Sequence, residues 1–388
     1  MVDTSADNPS HENEDKLMAN GVHSSDELSE EESEELFTQM ESQLTDKEVL
    51  HMTDVLQCLQ LSDTRGLRRL ATTGDGFIDD NLRRQIWPKV AKVSVVETSP
   101  RPSPQTIESH AFYNQVVMDV NRSLSRFPPS IEATHRISMQ DSLIRLIMRV
   151  LIKNPELHYF QGYHDICVTF LMVLGEEMAF YVVNQLSKTH FRVFMEKTMD
   201  KTADLMDIIA IVVREESPSL GQHMDRSQVG TIFALSWVIT WFSHVLPTYE
   251  DVTRLFDFFL VSHSLMPLYF TVALVLRKEH HILDADCDMP SIHQLLTLVP
   301  ETEELPIESL IGTALELMDR HPPQDMIRAQ QKEKKERLML AKRAKNRALF
   351  GSVFDFRYLF HTFTRFQFMS ITVLVVFCAT FYQIYWNV

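Results

Sequence analysis

Glycine is scarce in this chain, with ten residues in 388. Alternating Val/Thr/Tyr stretches are few as well, which argues against a β-rich fold. Cysteine is rarer still. Cys58, Cys167, Cys287 and Cys378 lie far apart and form no C-x-x-C pair, so neither a disulfide framework nor a zinc site is suggested and a reducing cytosolic setting is the default. The opening stretch MVDTSADNPSHENEDK has no apolar core and is acidic, which excludes a secretory signal peptide and argues against a mitochondrial presequence. No repeat of solenoid period is found. Basic faces are missing too. Of the net charge of -16, -13 falls in residues 1 to 50, where fifteen carboxylates face only Lys16 and Lys47. The rest is nearly balanced, so nucleic acid is not an expected partner.

What is present is an apolar, helix-forming body, with hydrophobic residues making up 45% of the chain. The expected class is all-α, a single multi-helix domain followed by a C-terminal transmembrane helix. Residues 1–45, with the acidic run Glu30-Glu31-Glu32-Ser33-Glu34-Glu35, are expected to be a disordered acidic tail. The folded domain is expected over 46–325, a basic juxtamembrane segment over 326–365 and the span over 366–386. Asp79 or Asp80 can cap a helix through Leu82, Arg83, Ile86 and Trp87. A second helix is predicted from about Met139 to Asn154, where Leu143, Leu146, Ile147, Val150 and Leu151 make one apolar stripe and Pro155 ends it.

Three apolar stretches compete as membrane spans. Val229 to Leu246 is interrupted by Ser236, Thr240, Ser243 and His244, and Phe258 to Leu276 by Ser262-His263-Ser264 and Pro267. Both read as buried core helices. Phe366 to Trp386 contains no charge, and its 21 residues would make about 31 Å of helix, a match for a bilayer core. The basic stretch Lys332 to Arg347, with eight cationic and two anionic side chains, would keep the N-terminal body in the cytosol. Tail-anchored insertion into the endoplasmic reticulum is therefore expected.

Two short segments carry candidate chemistry. In Val116-x-x-Asp119-x-x-Arg122 the carboxylate and guanidinium are three apart on a predicted helix and can pair. Alone, this is an ordinary exposed ion pair. In Tyr159-Phe160-Gln161-Gly162-Tyr163-His164-Asp165, Gly162 marks a close backbone approach or a helix start, and Gln161 could present an amide that both donates and accepts. Alone, this is an ordinary loop.

In this order, about forty residues apart, the two segments resemble the signature of TBC-domain Rab GTPase-activating proteins, I-x-x-D-x-x-R followed by Y-x-Q-G-M. Gly76-Phe77 with Leu82-Arg83-x-x-Ile86-Trp87, Ser236-Trp237 with Trp241-Phe242, and Arg254-Leu-Phe-Asp257 resemble further blocks of that family, which together span about residues 70 to 320. Val116, Ser123 and Tyr163 replace the usual Ile, Thr and Met. The resemblance implies that Arg122 acts as an arginine finger and Gln161 as a glutamine finger in the active site of a Rab GTPase in its GTP form. Asp119 would hold Arg122, while Tyr159, Gly162, Tyr163 and Asp165 shape the loop. It also implies no cofactor of the chain's own, GTP and magnesium belonging to the Rab. Together with the C-terminal span, the wording Gln161-Gly-Tyr-His-Asp165 is most similar to a family member of the endoplasmic reticulum that acts on the Rab of early secretory, ER to Golgi, traffic. A second reading is a catalytically weak, membrane-anchored Rab-binding scaffold.

Two patterns imitate metal sites. Asp284-x-Asp286-x-Asp288 opens like a calcium loop, but Met289 and Leu295 stand where Gly and Glu are needed. His158 and His164, or His280 and His281, lack an H-E-x-x-H frame or a supporting Cys.

Overall fold

A computed structural model of the chain describes residues 46–74, 76–93, 99–122, 133–302 and 304–346. The acidic tail, the segment from Ser123 to 132 and the expected span Phe366 to Trp386 lie outside the described residues. All regular elements among the described residues are helical. The chain divides into two compact units between Asp63 and Thr64. The first contributes α1 (Asp46–Gln60).

The second unit begins with α2 (Thr64–Ala71) and α3 (Asp80–Val90), followed by α4 (Pro104–Glu108), α5 (Tyr113–Arg122), α6 (Ala133–Lys153) and α7 (Tyr163–Lys188). Asp79 caps α3, its Oδ1 accepting from the Leu82 N–H at 2.7 Å. That bond satisfies one of the helix's orphan donors. Helix α6 starts six residues before Met139. Its first turns carry no apolar stripe, and Ile137 is 61% exposed, so hydrophobic spacing alone misses them.

Helix α7 turns back on itself at Gly175, whose φ of 71° and ψ of 167° no helix contains. The Tyr163 hydroxyl, at the start, lies 2.6 Å from Ser187 Oγ, near the end. Twenty-four residues of straight helix would hold them about 36 Å apart, so the segment is a hairpin of two antiparallel arms. The second arm opens with Glu176 and Glu177, which pair with Arg145 and Arg149 of α6. Taken whole, α7 is the one described helix long and apolar enough to cross a membrane, but 67% of its most apolar window is buried inside the fold. It is core, clasped by α6 and α3.

Then come α8 (Asp200–Glu216), α9 (Pro218–Ser227), a 3₁₀ turn at Ile232–Ala234, α10 (Leu235–Ile239), α11 (Tyr249–Val261), α12 (Met266–Arg277), α13 (Glu279–Asp284), α14 (Met289–Thr302) and α15 (Ile307–Arg320). The stretch from Val229 to Leu246 is thus not the single core helix its composition suggests. It breaks after Ile239, where Trp241 and Phe242 take left-handed φ values of 50° and 65°. Phe258 to Leu276 is likewise two helices, α11 and α12, separated at Ser262. Both stretches are nonetheless largely buried. Helix α12, buried along nearly its whole length, packs between α8 and α15.

A last helix, α16 (323–346), starts against the body, where Met326 and Gln330 are buried. Lys334 and Arg337 then reach Asp204 and Asp207 of α8 at 2.6 and 2.9 Å.

Candidate functional site

A buried carboxylate organises the scaffold behind the site. Asp257 of α11 has no solvent exposure and accepts from the Phe77 N–H at 3.0 Å, from Trp87 Nε1 at 2.6 Å and from Arg83 Nε at 3.2 Å. A charge removed from water needs donors of this number and quality. Burial opposes the charge on Arg83, but Asp257 and Asp80 outweigh it and hold the guanidinium above its ordinary range. Gly76 stands at φ +65°, where a Cβ would lie 2.6 Å from Asp257 Oδ2. Arg254, one turn earlier, bonds Glu308 and the carbonyls of Ala71 and Gly74. The blocks around Gly76, Arg83, Trp87, Arg254 and Asp257 therefore meet in one structural knot.

That chemistry gathers where the end of α5 meets the turn before α7. Arg122 is the last residue of α5 and its side chain is 71% exposed. Its Nη1 lies 3.9 Å from Oδ1 of Asp119, a carboxylate whose side chain is only 8% exposed. The helical spacing of three residues puts both on one face, with the base of the pair in the protein and the guanidinium in solvent. The Tyr159 hydroxyl donates to Asp119 Oδ2 at 3.1 Å and so ties the Gln161 segment to the Arg122 helix. Burial first, and then the Asp119 charge, push the Tyr159 phenol well above its usual range. Both favour the protonated phenol, the form that donates to Asp119.

Past Tyr159 the chain turns at Gln161 and Gly162. Gln161 is exposed. Gly162 holds φ +106° at the head of α7, and a Cβ there would come within 2.8 Å of Thr240 Cγ2. Both readings of this glycine from sequence, helix start and close approach, describe it. Tyr163 differs from the others. It is fully buried, its ring edge-on to Tyr159 and Phe160, and its hydroxyl points to Ser187. It supports the loop from beneath.

Asp165, in the first turn of α7, is 1% exposed and sits between two histidines. His244 Nδ1 lies 2.7 Å from its Oδ2, and His164 Nε2 lies 3.6 Å from its Oδ1. His164 Nδ1 in turn lies 3.0 Å from the Tyr159 hydroxyl. With the phenolic proton donated to Asp119, that imidazole nitrogen is the donor to the phenol oxygen. Hydrogen bonds thus link Asp119 to Tyr159 and Tyr159 to His164, and separately Asp165 to His244, with 3.6 Å between His164 Nε2 and Asp165 Oδ1 where the two groups meet. Sequence reasoning treated His164 as an ordinary histidine and His244 only as an interruption of an apolar run. The signal for His244 was faint: a polar residue two after the Trp241-Phe242 pair in a stretch otherwise fit for the core.

Among the described residues no group of three His, Cys, Asp or Glu is placed to hold a metal ion. Asp288 caps α14 instead, accepting from the Ser291 N–H at 2.9 Å.

Residues 80–283, a little over half of the chain, match the family model of the Rab-GTPase-TBC domain. The chain is 45% identical over 267 residues to TBC1 domain family member 20 of Bos taurus, a match covering 69% of this chain and 66% of that protein, just under two thirds of its length. It is 32% identical over 244 residues to GTPase-activating protein gyp10 of Schizosaccharomyces pombe, covering 61% and 64% of the two chains. The fold is similar to the crystal structure of the Chlamydomonas flagellar RabGAP TBC domain, with a TM-score of 0.56 at 18% identity over 74% of this chain and 95% of that one.

Proposed function

From the premise that the chain belongs to the Rab-GTPase-TBC domain family, we propose that it accelerates GTP hydrolysis on a Rab-type small GTPase by supplying Arg122 and Gln161 in trans. The observation that carries this reading is the Asp119–Tyr159 hydrogen bond. It joins an exposed guanidinium, steadied by a buried carboxylate, to the segment that presents an exposed carboxamide two residues on. Phosphoryl transfer passes through a loose transition state with charge spread over the oxygens of the transferring group, so positioned cations and dipoles do most of the work. Arg122 would neutralise that charge, and Gln161 would orient the attacking water. GTP and magnesium would come with the Rab. The target would be a Rab of early secretory traffic, in its GTP form. The protein would sit on the endoplasmic reticulum membrane through Phe366 to Trp386, its helical body in the cytosol.

The test is phosphate release from a panel of GTP-loaded Rabs mixed with the full chain in detergent. Arg122→Ala and Gln161→Ala should each lower stimulation strongly, the former by roughly 10³-fold or more, with helical circular dichroism unchanged. Binding without faster release would leave a scaffold. Full activity in Arg122→Ala would end the finger reading. Separately, removal of residues 366–388 should move the protein from the membrane fraction to the soluble fraction of cells.

A further inference from the structure

We infer that His244 is a positioning residue for Gln161, acting through Asp165 to fix the turn that carries the carboxamide. The inference rests on the GTPase-activating reading above.

Two ties hold the Gln161-Gly162 turn, and both come from the same short segment, Thr240 to His244. Thr240 packs its methyl where a Gly162 side chain would be. His244 reaches back to Asp165, whose own N–H bonds to the Gly162 carbonyl at 3.1 Å. The segment is itself braced. The Thr240 hydroxyl donates to the Ser236 carbonyl at 2.6 Å and accepts from the His244 N–H at 3.3 Å, and Ser243 Oγ donates to the Thr240 carbonyl at 2.7 Å. Within it, Trp241 and Phe242 are buried in left-handed conformations, so the turn leaves little freedom to the residues that follow.

Asp165 turns its Oδ2 to His244 Nδ1 at 2.7 Å. Because a carboxylate can only accept, the 2.7 Å contact requires the proton on His244 Nδ1. The side chain as a whole is 44% exposed. A histidine kept only for packing has no reason to be half in solvent while spending one nitrogen on a carboxylate that is 1% exposed. The arrangement instead orients Asp165, and through Asp165 the first turn of α7 and the residue before it. Catalytic groups delivered in trans gain most from such fixing, because a misplacement of about 1 Å can cost on the order of a hundredfold in rate.

The donor position separates this role from a structural one. Asparagine puts its amide nitrogen near where Nδ1 stands, whereas glutamine places it near Nε2. With a Rab that wild-type protein stimulates, His244→Ala and His244→Gln should lower kcat by roughly tenfold to a hundredfold with KM for the GTP-loaded Rab within about twofold of wild type, while His244→Asn stays close to wild type. Wild-type kcat in His244→Ala, a KM effect alone, or an Asn variant as poor as Ala would overturn the inference. Arg122→Ala measured in parallel reports on the finger reading separately. Hydrogen–deuterium exchange at the Tyr163 and Asp165 amides of the full chain needs no Rab. It should quicken in His244→Ala and not in His244→Asn, and unchanged exchange in the Ala variant would refute the role whatever the activity.

Discussion

The Tyr159 hydroxyl donates to the Asp119 carboxylate at 3.1 Å, and this one buried bond joins two segments forty residues apart. Asp119 gives one oxygen to Arg122 and the other to Tyr159. The carboxylate is thus held from the Tyr159 side, with the guanidinium 3.9 Å from its other oxygen.

Tyr159→Phe removes that donor while keeping the ring. A buried carboxylate left short of a partner costs about 1–3 kcal/mol, measurable as a lower urea midpoint. Stimulated GTP hydrolysis should fall by roughly tenfold or more through loss of positioning, mainly in kcat. An unchanged kcat would mean that Arg122 does not depend on this brace.

Gly162→Ala meets two obstacles, a φ of +106° and the Thr240 methyl 2.8 Å away. The backbone conformation alone costs on the order of 1–3 kcal/mol for a residue with a side chain. Adding Thr240→Ser removes the methyl but not the backbone penalty, so the double variant should regain part of the lost melting temperature and never all of it. Complete recovery would show that the contact, and not the φ angle, sets the need for glycine.

Asp257→Ala strips the acceptor from Arg83, Trp87 and Phe77 at once. Breaking one side of such a buried network costs about 3–5 kcal/mol. Glu308, whose side chain is 47% exposed, pairs with Arg254 from the rim, and Glu308→Gln should cost less than about 1 kcal/mol. Equilibrium unfolding of both variants distinguishes the knot from its periphery.

Glu177 carries the pH prediction. Hydrogen bonding to Arg149, opposed by partial burial and aided by Arg101, lowers its carboxyl from 4.5 to about 2. Its folded pKa lies below the unfolded one, so its contribution is present above about pH 4.5 and is lost as pH falls toward 2. Glu177→Gln should flatten the dependence of unfolding free energy on pH across that window and leave the slope near neutrality unchanged. Because Glu177 and Arg101 are largely solvent-exposed, the effect shrinks in high salt.

Much of this was legible in the residues. Asp79 or Asp80 reads as a cap because helix starts need an acceptor there, and the fold uses Asp79. Asp119 and Arg122 read as a pair because α-helices place residues three apart on one face. Gly162 reads as a close backbone approach or a helix start because a glycine in an aromatic-rich run needs such a reason. What stayed hidden depends on distance along the chain. Nothing near Trp87 says that its indole partner is 170 positions away, and nothing near Asp165 announces His244. The fold-back of α7 was half written: a glycine in an apolar run, followed at once by two carboxylates, signals a break, yet hydropathy averages it away. The early start of α6 escaped because the sequence of its first turns carries no apolar stripe to detect.

The fold-back has a consequence for reading mutational scans. Ser187 belongs to the tail of its helix and looks remote from any chemistry, but it holds the hydroxyl of Tyr163, whose backbone follows directly on Gln161-Gly162. A lesion at 187 would be transmitted to the carboxamide turn through a single aromatic ring, so nearness in the alphabet of positions is a poor guide to which changes will stay silent.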